Sequence, residues 1–144
     1  MGFDLYGMNP KTDSPEPPQP AMTGANWTEE ECEQWDVYSK WREDSGGYFR
    51  NNVWAWRPLW YFVSKVCDDI LTGEDISQGS YNDGHRISRE KSEAIAERLY
   101  QLIEDGSVEE FEDEFEDDRG YAFFEENVRD FAYFCSKCGG FEIC

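Results

Sequence analysis

The sequence predicts a mainly α fold: an irregular helical bundle with an extended N-terminal arm and a Pro-rich loop. Three observations predict it. Apolar residues recur every three or four positions in several stretches. Start signals precede those stretches, with Thr28 and Glu31 spaced as a capping box and Ser88 placed as an N-cap. Glycines follow them, at Gly46-Gly47, Gly73, Gly106 and Gly139-Gly140, where helices commonly stop.

Taken in order, residues 1–8 are too short for a helix and read as an extended arm or an edge strand. Residues 9–26 hold five of the six prolines among polar neighbours, which predicts a surface loop. After Thr28, Glu29 and Glu30 suit a first helical turn, and Cys32, Trp35 and Tyr38 follow at helical spacing as far as Asp44. The block from Tyr48 to Pro58 alternates aromatics, Asn and Arg without a clean period and reads as a structured turn. Pro58 is placed to open a helix, with Leu59, Phe62, Val63, Val66, Cys67 and Ile70 on its apolar stripe and Gly73 at its close. Residues 74–84 read as a polar loop with Asn82-Asp83-Gly84 as its turn. Ser88 starts a helix that buries Ile95, Leu99, Leu102 and Ile103. Val108, Phe111 and Phe115 give helical spacing inside an acidic run, and Phe124, Val128, Phe131, Ala132 and Cys135 mark a last helix. Phe141 to Cys144 is a short tail that docks on the body. The whole, 1–144, reads as one acidic domain.

Composition narrows the function. Ten Phe, eight Tyr and six Trp in 144 residues supply ample apolar surface, so the chain folds despite a net charge of −19. That charge divides unevenly: −7 over residues 1–39, −1 over 40–98 and −11 over 99–144. Only the middle third would let an anion approach. A broad phosphate-binding face requires clustered bases, and direct nucleic-acid binding is therefore not expected. No run approaches a membrane span, no basic-then-apolar leader opens the chain, and Tyr6 stands where myristoylation wants Ser or Thr. Five cysteines, an odd number, in such a chain point to reduced thiols and a cytoplasmic setting.

Four constellations could carry chemistry. Cys135 and Cys138 form one C-x-x-C, with Cys144 six residues on. A structural zinc site normally shows two such pairs, so these are weak ligand candidates and no metal or other cofactor is expected. Ten acids lie between Glu104 and Asp118. They form either a solvated face or a carboxylate row that imitates nucleic acid and engages a basic host protein, with Glu109, Glu112, Asp113 and Glu116 as its contacts. Nucleophile motifs, phosphate-cradling glycine loops and nucleotide fingerprints are lacking, and the single histidine excludes His-pair chemistry, so the balance is against an enzyme. The last constellation is the one favoured. Arg50, Asn51, Asn52, Trp54, Trp56, Arg57 and Trp60 fall within eleven residues of the least acidic third, with Asn82, His85 and Arg86 in the loop before the next helix. Rings stack on a base, Asn reads its edge, and Arg grips phosphate as a fork. The same tryptophans could equally fill a core, with Arg and Asn capping turns.

The opening Met1-Gly2-Phe3-Asp4-Leu5-Tyr6-Gly7, the blocks from Tyr48 to Trp54 and from Arg57 to Trp60, the loop from Gly79 to His85 and the ending from Gly139 to Cys144 together resemble a family of small uncharacterised bacteriophage and prophage proteins. The resemblance implies a viral protein working in the host cytoplasm. It implies no established activity. Relatives with a Cys-rich zinc-ribbon-like insert carry it where this chain has only residues 117–121, and a Ser stands at the equivalent of Cys138, so zinc binding does not transfer. Small acidic phage proteins commonly counter host defence, by sequestering a nucleotide-like immune signal or by mimicking DNA. The expectation is a non-enzymatic binder of such a signal, with an acidic inhibitor of a nucleic-acid-binding host factor as the alternative, and a homo-oligomer is compatible with either.

Overall fold

A four-stranded antiparallel sheet, absent from the expected bundle, organises the computed structural model of this chain. The structure describes residues 2–10, 16–18, 27–117 and 120–144. Most of the expected Pro-rich loop, residues 11–15 and 19–26, lies outside the described residues. The elements run β1 (Gly2–Gly7), α1 (Glu29–Asp44), β2 (Tyr48–Asn52), α2 (Val53–Val66), α3 (Gly73–Gln78), β3 (His85–Ile87), α4 (Arg89–Glu104), α5 (Ser107–Glu114), α6 (Glu125–Lys137) and β4 (Phe141–Ile143). The fold is mixed α/β, and the mainly α bundle is wrong.

The sheet order is β2-β1-β4-β3, so the expected N-terminal arm is an interior strand. Leu5 pairs with Phe49 on one side and with Ile143 on the other, and Ile87 faces Phe141. Period-two alternation turns Phe3, Leu5, Ile87, Phe141 and Ile143 inward, where all are buried. Asp4, Tyr6, Arg50, Arg86 and Glu142 take the other face, and Arg86 and Arg50 there pair with Glu142 and Asp4. The inner face packs on aromatic side chains of α2 and α6. Phe3 stacks on Trp56 at 5.6 Å, Phe49 contacts Phe131 and Phe134, and both of these touch Phe141.

Two local signals were misread for physical reasons. Asn52 ends β2 and in the same step caps α2, its side chain accepting from Ala55 N–H at 2.9 Å. The helix therefore begins five residues before Pro58, which sits inside it. A proline there removes one helical N–H and orphans the carbonyl four residues back. That carbonyl, on Trp54, accepts instead from the Ala122 N–H at 3.1 Å. Gly73 opens α3 behind a Thr72–Asp75 capping box and does not close α2, which ends at Val66. Gly106, at φ 85°, ends α4 as expected and separates it from an eight-residue α5, whose Phe111 packs on Phe62 and Phe123. The N-caps at Thr28 and Ser88 form, each accepting from the backbone three residues on, while the full reciprocal capping box forms at Thr72 and Asp75.

No described helix is long and apolar enough to cross a membrane. Because Phe141 joins β4 to α6 through two ring contacts, Phe141→Ala is expected to cost about 3–5 kcal/mol. Urea denaturation of the variant beside the parent chain measures it.

Candidate functional site

Helix α2 carries residues of two kinds on neighbouring strips. Trp56, Leu59, Phe62 and Val63 turn into the core, while Arg57 and Tyr61 turn out. Between them lies a surface hollow of about 300 Å³, lined from α2 by Trp56, Arg57, Trp60, Tyr61 and Ser64. Ile76 and Ser80, from and just after α3, make the facing wall, and Tyr121 closes one end. The α2 residues stand at i, i+1, i+4, i+5 and i+8, one continuous helical strip.

The two buried indoles are fixed as walls. Trp56 donates to the Gly79 carbonyl at 2.9 Å and Trp60 to the Ile76 carbonyl at 3.0 Å, so neither N–H is left for a ligand. Their rings stack 5.4 Å apart. Gly79 is required here, since a Cβ on it would overlap the Trp60 ring. Trp54 is 49% exposed and leans on Tyr121 at 5.3 Å, beside the Trp54 carbonyl that holds Ala122. Tyr121 reaches the hollow through that exchange of hydrogen bonds.

Two polar groups remain uncommitted. Arg57 is exposed and makes no ion pair or hydrogen bond with the described residues. Ser64 Oγ is buried and has no hydrogen-bond partner, the one such side-chain atom among the described residues. Among the described residues no carboxylate lines this hollow. Three other hollows of similar size each carry at least one: Glu43, Asp44 and Asp130 beside Tyr133, Glu43 again beside Trp35, and Glu30 with Glu33 beside Pro17.

The sequence-derived cluster is thus only partly assembled. Trp56, Arg57 and Trp60 line the hollow and Trp54 flanks it. Arg50 lies on the outer face of the sheet, 3.2 Å from Asp4, whose carboxylate also accepts from Tyr48; burial and that bond push the Tyr48 phenol up to about 12. Asn51 exchanges amide hydrogen bonds with Asn127 at 2.8 and 3.0 Å, tying β2 to α6, while Asn52 is a helix cap. Asn82 donates to the Gly2 carbonyl, and Arg86 pairs with Glu142 at 3.3 Å. Tyr61, Ser64, Ile76, Ser80 and Tyr121 escaped the sequence reading. The first two were findable from the helical strip once the helix is started at Asn52; the others arrive through tertiary contacts.

His85 belongs to a different construction. Its Nε2 lies 2.8 Å from Asp75 Oδ1, while Asp75 Oδ2 is 2.6 Å from Lys91 Nζ and accepts from the Thr72 N–H at 3.0 Å. Asp75 is 5% exposed. Burial disfavours its charge, but the bonds from Lys91, Thr72 and His85 outweigh that and hold its carboxyl well below the usual carboxylate range. The clamp locks α3, and with it one wall of the hollow, to β3 and α4.

The thiols offer no ligand set. Cys135 and Cys138 are buried, with Cys138 Sγ 3.0 Å from Ser92 Oγ, whereas Cys144 turns to the outer face beside Glu142. Burial raises the Cys67 thiol to about 12, holds Cys135 well above its ordinary value and raises Cys144, so all three stay protonated. Among the described residues no three His, Cys, Asp or Glu side chains gather as a metal site. Nor do the four acids of the run form a row. Glu112 is turned to accept from the Glu125 N–H at 3.1 Å, and Glu116 lies past the end of α5, leaving Glu109 and Asp113 on its exposed side. Comparison with protein-family models, curated proteins and solved structures finds no match to this chain.

Two outcomes follow from this geometry. Gly79→Ala is expected to destabilise the chain by about 3 kcal/mol through overpacking, read as a lower urea midpoint at unchanged slope. For Asp75 the folded carboxyl titrates below its unfolded value of about 3.9. Its contribution is therefore complete above that value and is lost as pH falls through the lower folded one. Asp75→Asn should flatten the acid limb of a stability-against-pH curve below about pH 4, and an unchanged limb would contradict the clamp.

Proposed function

We propose that this chain is a non-enzymatic binding protein for a small nucleotide-like anion, which it holds in the α2–α3 hollow and does not turn over. One observation carries the reading: in a molecule of net charge −19, this hollow presents, among the described residues, an unpaired guanidinium between aromatic walls and no carboxylate. A cation without competing acids selects an anion. Flat walls from Tyr61, Tyr121 and Trp60 select a ring system beside it. Arginine takes phosphate through two parallel N–H donors, which neither hydroxyls nor indoles supply.

The non-catalytic character is supported by what surrounds the ligand space. Among the described residues, hydroxyls and one guanidinium line it, with no general base and no activated nucleophile beside them. A titratable cluster with a strongly shifted group, Asp75 with His85 and Lys91, is consumed in holding α3, and another, Tyr48 with Asp4 and Arg50, lies on the outer face of the sheet. A phage origin, and a role in sequestering a host immune signal within the host cytoplasm, rest on the motifs of residues 1–7, 48–60, 79–85 and 139–144 alone.

Calorimetric titration with a panel of nucleoside monophosphates, cyclic dinucleotides and ADP-ribose tests the reading. At least one should bind stoichiometrically and be recovered unaltered by chromatography. Arg57→Gln, at an exposed position and so neutral for folding, should weaken that ligand by roughly tenfold to a hundredfold. Silence across the panel, or an unchanged affinity in the variant, would end it.

A further inference from the structure

Resting on that reading of the hollow, we infer that it accommodates a single nucleotide unit: one phosphate on Arg57, one base whose polar edge reaches Ser64, and no second nucleotide. Three features of the site lead there. The first is size. At about 300 Å³ the hollow stands at the bottom of the usual range for ligand pockets, about 300–1,000 Å³. A cyclic dinucleotide, with two bases and two phosphates, would leave half of itself in solvent.

The second is charge. Arg57 is the single cation on the lining among the described residues. The other guanidiniums of the sequence-derived cluster, Arg50 and Arg86, lie on the outer face of the sheet, each committed to a carboxylate. A second phosphate would therefore meet no counter-charge, in a molecule whose overall field repels it.

The third is the position of the buried hydroxyl. Ser64 lies seven residues beyond Arg57 on the same helical strip, about 10 Å along the axis. Between them stand Trp60 and Tyr61, whose rings offer faces and edges but no free indole N–H. That separation leaves room for one sugar and one base between a phosphate held at Arg57 and a hydrogen-bonding base edge at Ser64. Buried polar atoms without partners are rare and costly, and Ser64 Oγ is the one such side-chain atom among the described residues. A base carbonyl, ring nitrogen or amino group would satisfy it, since a hydroxyl both donates and accepts. Ribose phosphate alone ends short of it.

The test compares AMP, UMP, ribose 5-phosphate and a cyclic dinucleotide by calorimetry on the unaltered chain, then on Ser64→Ala. At least one mononucleotide should bind tenfold or more tightly than ribose 5-phosphate and than the cyclic dinucleotide. Ser64→Ala should lower the mononucleotide affinity roughly tenfold more than it lowers that of ribose 5-phosphate. The ligand comparison needs no variant to fold. Tighter binding of the cyclic dinucleotide would overturn the single-unit inference while leaving the ligand-site reading intact. So would equal binding of ribose 5-phosphate and the mononucleotides, or an equal loss for both in Ser64→Ala. Absence of binding by all four, with none from ADP-ribose, would remove the site reading and this inference together.

Discussion

Strand β1 holds the molecule in register. Leu5 lies between Phe49 and Ile143, so one residue of the N-terminal strand sets the phase of two neighbours at once. A slip by a single position would send Asp4 and Tyr6 into the aromatic core and Phe3 and Leu5 into water. The same register decides the rotation of α2, because Asn52 is both the last residue of β2, opposite Gly2, and the helix cap. From that fixed start, Trp56 and Val63 must point inward and Arg57 and Tyr61 outward. The face of the helix that borders the hollow is in this sense a product of strand pairing.

That dependence explains what could and could not be read from the sequence. Helices α1, α4 and α6 announce themselves through local signals: a hydroxyl cap at Thr28 and Ser88, and an apolar stripe through Ile95 and Leu99 or through Val128 and Phe131. The sheet does not. Two of its strands are three residues long, too short for period two to show, and β1 pairs with segments more than forty and more than a hundred residues away. Pro58 misled for a general reason: the first turn is where helical prolines usually sit, and here the earlier cap at Asn52 outranks it.

The candidate site was legible in the same partial way. The concentration of Trp56, Arg57 and Trp60 in the least acidic third was visible and does border the hollow. Invisible were the partners that withdraw the rest. Asp4 takes Arg50 across a strand pair, Asn127 takes Asn51 across the core, Glu142 takes Arg86, and Asp75 takes His85. In an acidic chain a base is more often claimed by a carboxylate than left for a ligand. Arg57 escapes because α2 carries no acid in its first turn and the described residues put none on the walls of the hollow.

Pro58 sets helix regularity against the shape of the hollow. Replacing it would give α2 back its missing amide proton and relieve an interior proline penalty on the order of 3 kcal/mol. The Trp54 carbonyl would then turn to its own helix and release Ala122, and Tyr121 would lose its seat over Trp54. Selection for a sturdier helix would thus open one end of the hollow, so at this position thermal robustness and the shape of the concavity pull against each other.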